Sequence, residues 1–136
     1  MKLITRDTDY ALRALCSISK KKKEITPVSF LAKELNVPGP FLRKLLQTLQ
    51  NKKVLKSFKG RGGGFLLAKD PKSIFITDIM RIFQGSFCLN ECFLRKYPCP
   101  NIKSCLLRKK ISRIEEYVIK ELKDITLLCL LKKDRR

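Results

Sequence analysis

Apolar residues recur with helical spacing along the first fifty positions. Between Thr8 and Ser19, the residues Tyr10, Ala11, Ala14, Leu15 and Ile18 stand at i, i+1, i+4, i+5 and i+8, which is one face of an amphipathic helix. Lys20 to Lys23 follow as a basic run that suits a solvated helix end as well as it suits a phosphate contact. A short second helix is predicted with Ser29 as N-cap ahead of Phe30, Leu31 and Leu35, and Asn36-Val37-Pro38-Gly39 ends it with turn residues. Pro40 then suits the first turn of a third helix, where Phe41, Leu42, Leu45, Leu46 and Leu49 repeat the earlier pattern. Two helices joined by about four residues make a helix-turn-helix.

The third helix leaves Arg43, Lys44, Gln47 and Asn51 opposite its apolar stripe. All four donate hydrogen bonds: Arg and Lys match guanine edges or phosphates, and Gln and Asn match adenine. From Arg43 to Arg61 the chain carries seven basic residues and no acidic one, an electrostatic footprint for a polyanion. Gly60, Gly62, Gly63 and Gly64 separate the runs Val54 to Phe58 and Phe65 to Ala68, which predicts a hairpin with a glycine-rich tip. A phosphate-cradling P-loop is the rival, but the GxxxxGK[ST] spacing is absent and a strand is expected afterwards. Glycines there, Gly62 and Gly63 in particular, would let a backbone carrying Lys59 and Arg61 approach a DNA groove, as a wing does.

Beyond Asp70-Pro71 the segment Ile76 to Phe83 reads as another helix, with Thr77 or its neighbour as cap and Gly85 as stop. Periodicity then lapses. Ser86 to Cys105 holds four cysteines and two prolines, a segment that apolar burial alone would not order. After it Leu107, Ile111, Ile114, Val118, Leu122 and Ile125 recur at steps of three and four. A helix from about Ser104 to Leu122 would run roughly 28 Å, far enough past a small winged unit for its seam to pair with a second copy. Packing of that seam on the chain's own core is the alternative.

Composition sharpens the picture. With 136 residues, 44% hydrophobic and 32% charged, the chain suits one folded domain and excludes collagen-like or disordered classes. The 31 Lys and Arg exceed the 12 Asp and Glu by 19 charges, an excess that self-repels unless a polyanion neutralises it, and nucleic acid is the first candidate ahead of an anionic membrane surface. The longest apolar run, Ile125 to Leu131, is broken by Thr126 and falls far short of the roughly 20 residues needed to span a bilayer. Arg6, Asp7 and Asp9 near Met1 leave no signal-peptide core, so a cytoplasmic protein with reduced thiols is expected. With no histidine, neither a Ser-His-Asp nor a Cys-His pair can exist, so neither catalysis nor a small-molecule substrate is expected.

Six cysteines in such a setting suggest metal. Cys16 and Cys129 fall on apolar helix faces and read as core thiols. The others run Cys88-x3-Cys92-x6-Cys99-x5-Cys105, lysine-flanked thiols of the kind that make soft metal ligands. Structural zinc prefers short CxxC pairs, which are absent here, whereas iron-sulfur clusters accept ligands spaced irregularly along a loop. Both metals stay open on spacing alone.

Taken together, Lys59-Gly60-Arg61-Gly62-Gly63-Gly64-Phe65-Leu66-Leu67, then Ile76-Thr77-Asp78-Ile79, then the cysteine segment, resemble the Rrf2 family of winged helix-turn-helix regulators over almost the whole chain. The comparison within that family is with its cluster-binding branches, the nitric-oxide-sensitive NsrR repressors first and the IscR cluster regulators second. The resemblance implies that Cys92, Cys99 and Cys105 hold an iron-sulfur cluster, 4Fe-4S ahead of 2Fe-2S, although the first gap is one residue longer than the family's. The IscR branch carries a histidine where this chain has Arg108, so that ligand set cannot form. In the NsrR branch an aspartate near the start of helix one comes from the other subunit, and Thr8-Asp9-Tyr10-Ala11-Leu12-Arg13 places Asp9 at the matching position. Asp9 is otherwise a first-turn acid of ordinary kind. Cys88 is the rival fourth ligand and would also complete a zinc site.

The expected protein is therefore mostly α: a winged helix-turn-helix with a small β-hairpin wing (residues 1–85), a cysteine-rich segment (86–106), and a long dimerisation helix with a C-terminal segment (107–136). It is expected to be a homodimeric regulator of promoter DNA, a repressor in type, with nitric oxide or redox and iron status as signal. An IscR-like regulator of iron-sulfur cluster biogenesis, a zinc-stapled DNA-binding protein without sensing role, and a basic scaffold or RNA-binding module are the alternatives.

Overall fold

The computed structural model describes residues 2–21, 23–89, 100–101 and 103–132. Cys92 and Cys99 lie outside the described residues. Helix α1 spans Arg6–Lys20, starting two residues before Thr8 because Thr5 takes an extended N-cap conformation and its side chain accepts from the Thr8 amide. Asp7 and Asp9 sit in its first turn and Lys20 in its last, complementing the helix dipole at both ends. Its face of Ala11, Leu12, Ala14, Leu15 and Ile18 is buried at the centre of the core.

Helices α2 (Val28–Leu35) and α3 (Gly39–Asn51) form the expected helix-turn-helix. Asn36 ends α2 in the left-handed region at φ 55°, where a short polar side chain is tolerated. Ser29 is not the N-cap. Thr26 is held in an antiparallel bridge to Phe65, so the chain turns at Pro27 and Ser29 falls, exposed, inside the first helical turn. Leu42, Leu45, Leu46 and Leu49 of α3 are buried as their spacing requires.

Strands β1 (Leu55–Phe58) and β2 (Gly64–Leu67) pair antiparallel, with Leu55 opposite Leu67 and Phe58 opposite Gly64. The expected hairpin is present, with the first strand starting one residue later than expected and the second shifted back by one. A 3-10 turn at Pro71–Ser73 leads to α4 (Ile76–Gln84). Its N-cap is Phe75, while Thr77 lies within the first turn, half-buried, because the start of α4 is secured by tertiary contacts. The Ile76 amide donates to the Ile125 carbonyl at 3.0 Å and the Leu127 amide to the Ile74 carbonyl at 2.8 Å. These bonds bring the C-terminal stretch back onto the winged unit, where α6 (Leu127–Leu131) packs against α1 and Leu127 is 1% exposed.

Helix α5 (Leu106–Leu122) is about 25 Å long and has no buried residue. The apolar seam divides here. Leu107 and Ile114 are 67% and 55% exposed, whereas Leu122 and Ile125 pack on the core, since one straight helix cannot turn a stripe stepping by three and four toward a single neighbour when only its C-terminal end meets that neighbour. No helix among the described residues is long and apolar enough to cross a membrane.

The two thiols expected in the core differ. Cys16 is half-buried against the core, where burial pushes its thiol up and Lys20 acts in the opposite sense. Cys129 is exposed, because α6 is five residues long and turns Leu127 inward and Cys129 out. A hydrogen bond with the Thr126 hydroxyl, 3.3 Å from Sγ, draws the Cys129 thiol down.

Two outcomes follow from this packing. Leu127→Ala should destabilise the domain by about 2 to 5 kcal/mol in denaturant unfolding, a loss that a merely appended C-terminal segment would not show. At neutral pH, iodoacetamide should alkylate Cys129 well ahead of Cys16, as read by peptide mass spectrometry; equal rates would contradict the placement of the two thiols.

Candidate nucleic-acid interface

The outward residues of α3 alternate with its buried leucines, so Arg43, Lys44, Gln47 and Asn51 are all exposed. On the hairpin, Lys59, Arg61 and Gly62 are exposed and Gly63 is partly covered. None of these cations belongs to either ion pair among the described residues, Asp9–Arg13 and Asp78–Arg81. Their charge stands unneutralised toward solvent.

Two backbone features position the wing. The Thr26 and Phe65 amides each donate to the other residue's carbonyl at 2.9 Å, tying β2 to the start of α2. Gly64 sits so close that a Cβ there would meet the Thr26 carbonyl oxygen at 2.2 Å, which excludes every other residue. At the tip Gly62 takes φ 72°, a left-handed turn conformation that a β-carbon disfavours.

Between α3, the first turn of α2 and the wing lies an open cleft of about 500 Å³. It brings together Arg43, Gln47, Lys59 and Gly63 from the expected set; Lys44, Asn51, Arg61 and Gly62 lie outside its lining. Ser29, Gln50 and Phe58 also line it and escaped the sequence reading. Gln50 was recoverable, because Arg43, Gln47 and Gln50 stand at i, i+4 and i+7 on one helix stripe. Ser29 was hidden by its resemblance to a cap and Phe58 by its strand position. Guanidinium and carboxamide donors on one wall and lysine on the other match base edges and phosphates.

The metal-ligand candidates are more dispersed. Asp9, on the first turn of α1, accepts from Arg13 Nε at 3.2 Å and borders an open cleft of about 830 Å³ shared with Arg6, Tyr10 and Cys16. Cys88 is half-buried four residues beyond the end of α4, and Cys105 is the half-buried N-cap of α5. No three Cys, Asp or Glu residues meet closely enough to hold a metal ion among the described residues. The donor chemistry nonetheless suits a cluster, since Cys105 stands at the positive end of the α5 dipole with no side-chain cap competing for its first-turn amides.

Two groups of contacts join this region to the rest. Gln84, the last residue of α4, accepts from the Thr5 amide at 3.0 Å and the Thr8 hydroxyl at 2.8 Å, and donates to the Leu3 carbonyl at 2.9 Å. It thereby stitches the helix start that carries Asp9 to the end of α4, just ahead of the cysteine segment. On either side of Asp9, the Tyr10 ring meets Phe41 edge-on at 6.0 Å, and the Arg6 guanidinium lies 4.7 Å from the Phe41 ring centre. Phe41 belongs to the first turn of α3.

Comparison with known proteins agrees with this architecture. The family model for Rrf2, described as an iron-dependent transcriptional regulator, matches residues 4–133. An HTH-type transcriptional regulator of Aquifex aeolicus is 32% identical over 111 residues, covering 80% of this chain and 77% of that protein. The NsrR regulator of Oceanobacillus iheyensis is 30% identical over 129 residues, covering 93% and 88%. Among solved structures, CymR, the global cysteine regulator of B. subtilis, superposes with TM-score 0.78 at 26% identity over 99% of this chain and 100% of that one. IscR of T. potens shares the fold with TM-score 0.74 at 20% identity over 100% and 93%. A matching family model over nearly the full length, on a helix-turn-helix with its wing in place, means that this chain belongs to the Rrf2 family and is a transcriptional regulator rather than an enzyme.

Proposed function

We propose that this regulator binds promoter DNA as a homodimer and represses by occupying it, with affinity set by an iron-sulfur cluster. The observation that carries the DNA reading is the cleft in which Arg43 and Gln47 of α3 face Lys59 of the wing with no carboxylate among its lining residues. Arg43, Lys44, Gln47 and Asn51 would meet base edges and adjoining phosphates in the major groove, and Lys59 and Arg61, carried on a backbone kept thin by Gly62 and Gly63, would meet the flanking phosphates. The exposed half of the α5 seam, Leu107 and Ile114 with Tyr117, is the surface offered to the second copy.

Cys92, Cys99 and Cys105 would hold the cluster, 4Fe-4S by preference, with Asp9 of the partner subunit as fourth ligand. When bound, the cluster supplies iron that nitric oxide attacks directly. The iron-dependent description of the matching family, with an NsrR regulator among the relatives, supports this assignment over zinc. To serve as a ligand Asp9 would leave Arg13, and its neighbours Tyr10 and Arg6 would pass that change to Phe41 at the start of the reader helix. The carboxylate is a harder, weaker partner for iron than thiolate, so its iron would be the labile corner. Cys88 is the competing ligand, half-buried at the entrance to the cysteine segment.

DNA binding is tested by two variants. Arg61→Ala should weaken binding to every duplex and lower the steepness of its salt dependence by about 0.9, while Gln47→Ala should shift base preference by about 1 to 3 kcal/mol at one position. Parent-like behaviour from both at all salt concentrations would mean that the surface is misassigned.

The cluster is tested by the absorption spectrum of anaerobically purified protein. Serine at Cys92, Cys99 or Cys105 should bleach it, and serine at Cys16 or Cys129 should not; stoichiometric zinc without iron would sink the idea. Asp9→Ala should retain some colour while uncoupling cluster loss from DNA release. If Cys88→Ser destroys the cluster and Asp9→Ala changes neither spectrum nor DNA response, the site is all-cysteine.

A further inference from the structure

The basic run at the end of α1 is absorbed by neither the cleft nor the cysteine segment. Lys20, Lys21 and Lys23 line one shallow concavity with Glu24. Neither ion pair among the described residues reaches them, and Glu34 of α2 is engaged by the Ser17 hydroxyl at 2.9 Å. A helix C-terminus gains from a nearby cation, but the effect fades within the last turn, so a cluster beyond it chiefly repels itself. One carboxylate, Glu24, leaves the concavity positive.

Its position relates it to the cleft. The Lys21 ammonium lies 3.4 Å from the centre of the Phe30 ring, which is 41% exposed on the first turn of α2. Ser29, next to Phe30, lines the cleft with Arg43 and Lys59. Three residues separate Lys23 from Pro27, another cleft residue, so the two lie at most about 14 Å apart along the chain. Because Thr26 is bonded to Phe65 on both its amide and its carbonyl, this segment is fastened to the wing.

We propose that Lys20, Lys21 and Lys23 form a second phosphate-binding surface, which grips the duplex backbone outside the stretch read by α3 and lengthens the footprint on DNA. This surface rests on the DNA binding proposed above. A duplex seated in the cleft would continue past its α2 edge, with one phosphate charge for about every 1.7 Å of its axis, and would meet ammonium groups that neither ion pair among the described residues engages. The surface has no donors arranged for base edges, so it adds affinity without sequence preference.

The test uses the full chain and the duplex that it enriches from a random-sequence pool, made with flanks of about 4 or about 12 base pairs on each side. The parent should bind the long-flank duplex more tightly. The triple variant Lys20→Gln, Lys21→Gln and Lys23→Gln should lose that gain, lower the slope of log affinity against log salt by about 2 to 3, and keep the base preference of the parent. A charge-matched control, Lys69→Gln, Lys72→Gln and Lys123→Gln, should leave the flank gain intact. Thermal unfolding checks that both variants are folded; if the triple variant is not, Lys23→Gln alone is scored for a slope decrease of about 0.9. An unchanged slope and flank gain, or an equal loss in the control, overturns the surface alone. So does sedimentation of the parent, but not the triple variant, with phosphatidylglycerol vesicles when the DNA slope is unchanged. A parent that enriches no duplex overturns both this surface and the proposed function.

Discussion

The paired backbone hydrogen bonds between Thr26 and Phe65 set the geometry of the wing relative to the helix-turn-helix. A two-stranded hairpin of four residues per strand is marginal alone. Joined to the chain just before α2, it becomes the second wall of a cleft whose first wall is α3. The bare backbone of Gly64 makes that approach possible, since any side chain would collide with Thr26. The same join fastens to the wing the segment that follows the lysine run, and it places two basic segments, α3 and the wing, around one groove.

A second fastening holds the opposite end of α1. Gln84 satisfies the Thr5 amide, the Thr8 hydroxyl and the Leu3 carbonyl together, and Thr8 is fully buried beneath it. Losing such a residue leaves several polar groups unpaired in a partly buried setting, which costs more than the bonds themselves contribute. The network also ties the helix turn that carries Asp9 to the end of α4. Tyr10 and Arg6 then connect the Asp9 turn to Phe41, so the helix that carries a candidate ligand touches the helix that carries the candidate base contacts.

The C-terminal return has a different logic. Helix α5 leaves the core with Leu107 and Ile114 uncovered, yet the chain comes back at Ile125 to bond α4 and to seal the core with Leu127. The exposed stripe is therefore held on a helix anchored at its C-terminal end by the winged unit. An apolar face presented this way is available to a second copy without loss of the domain's own packing.

By itself the sequence determined the elements and their outward chemistry. Local periodicity sufficed for α1, α3 and α4, because each buries one stripe whose spacing does not depend on what it packs against. Glycine placement sufficed for the wing, and the acid-free stretch from Arg43 to Arg61 for the basic face. Only the tertiary structure decided which outward residues share a cleft: it joined Ser29 and Gln50 to Arg43 and Gln47, and it left Lys44 and Asn51 outside. It also moved the caps from Ser29 and Thr77 to Pro27 and Phe75, turned Cys129 to solvent, and divided the α5 seam between the core and open surface. The physical reason is common to all of these. A cap, a groove or a covered stripe depends on backbone groups distant in sequence, such as the carbonyls of Ile125 and Phe65, and no local pattern records where those will stand.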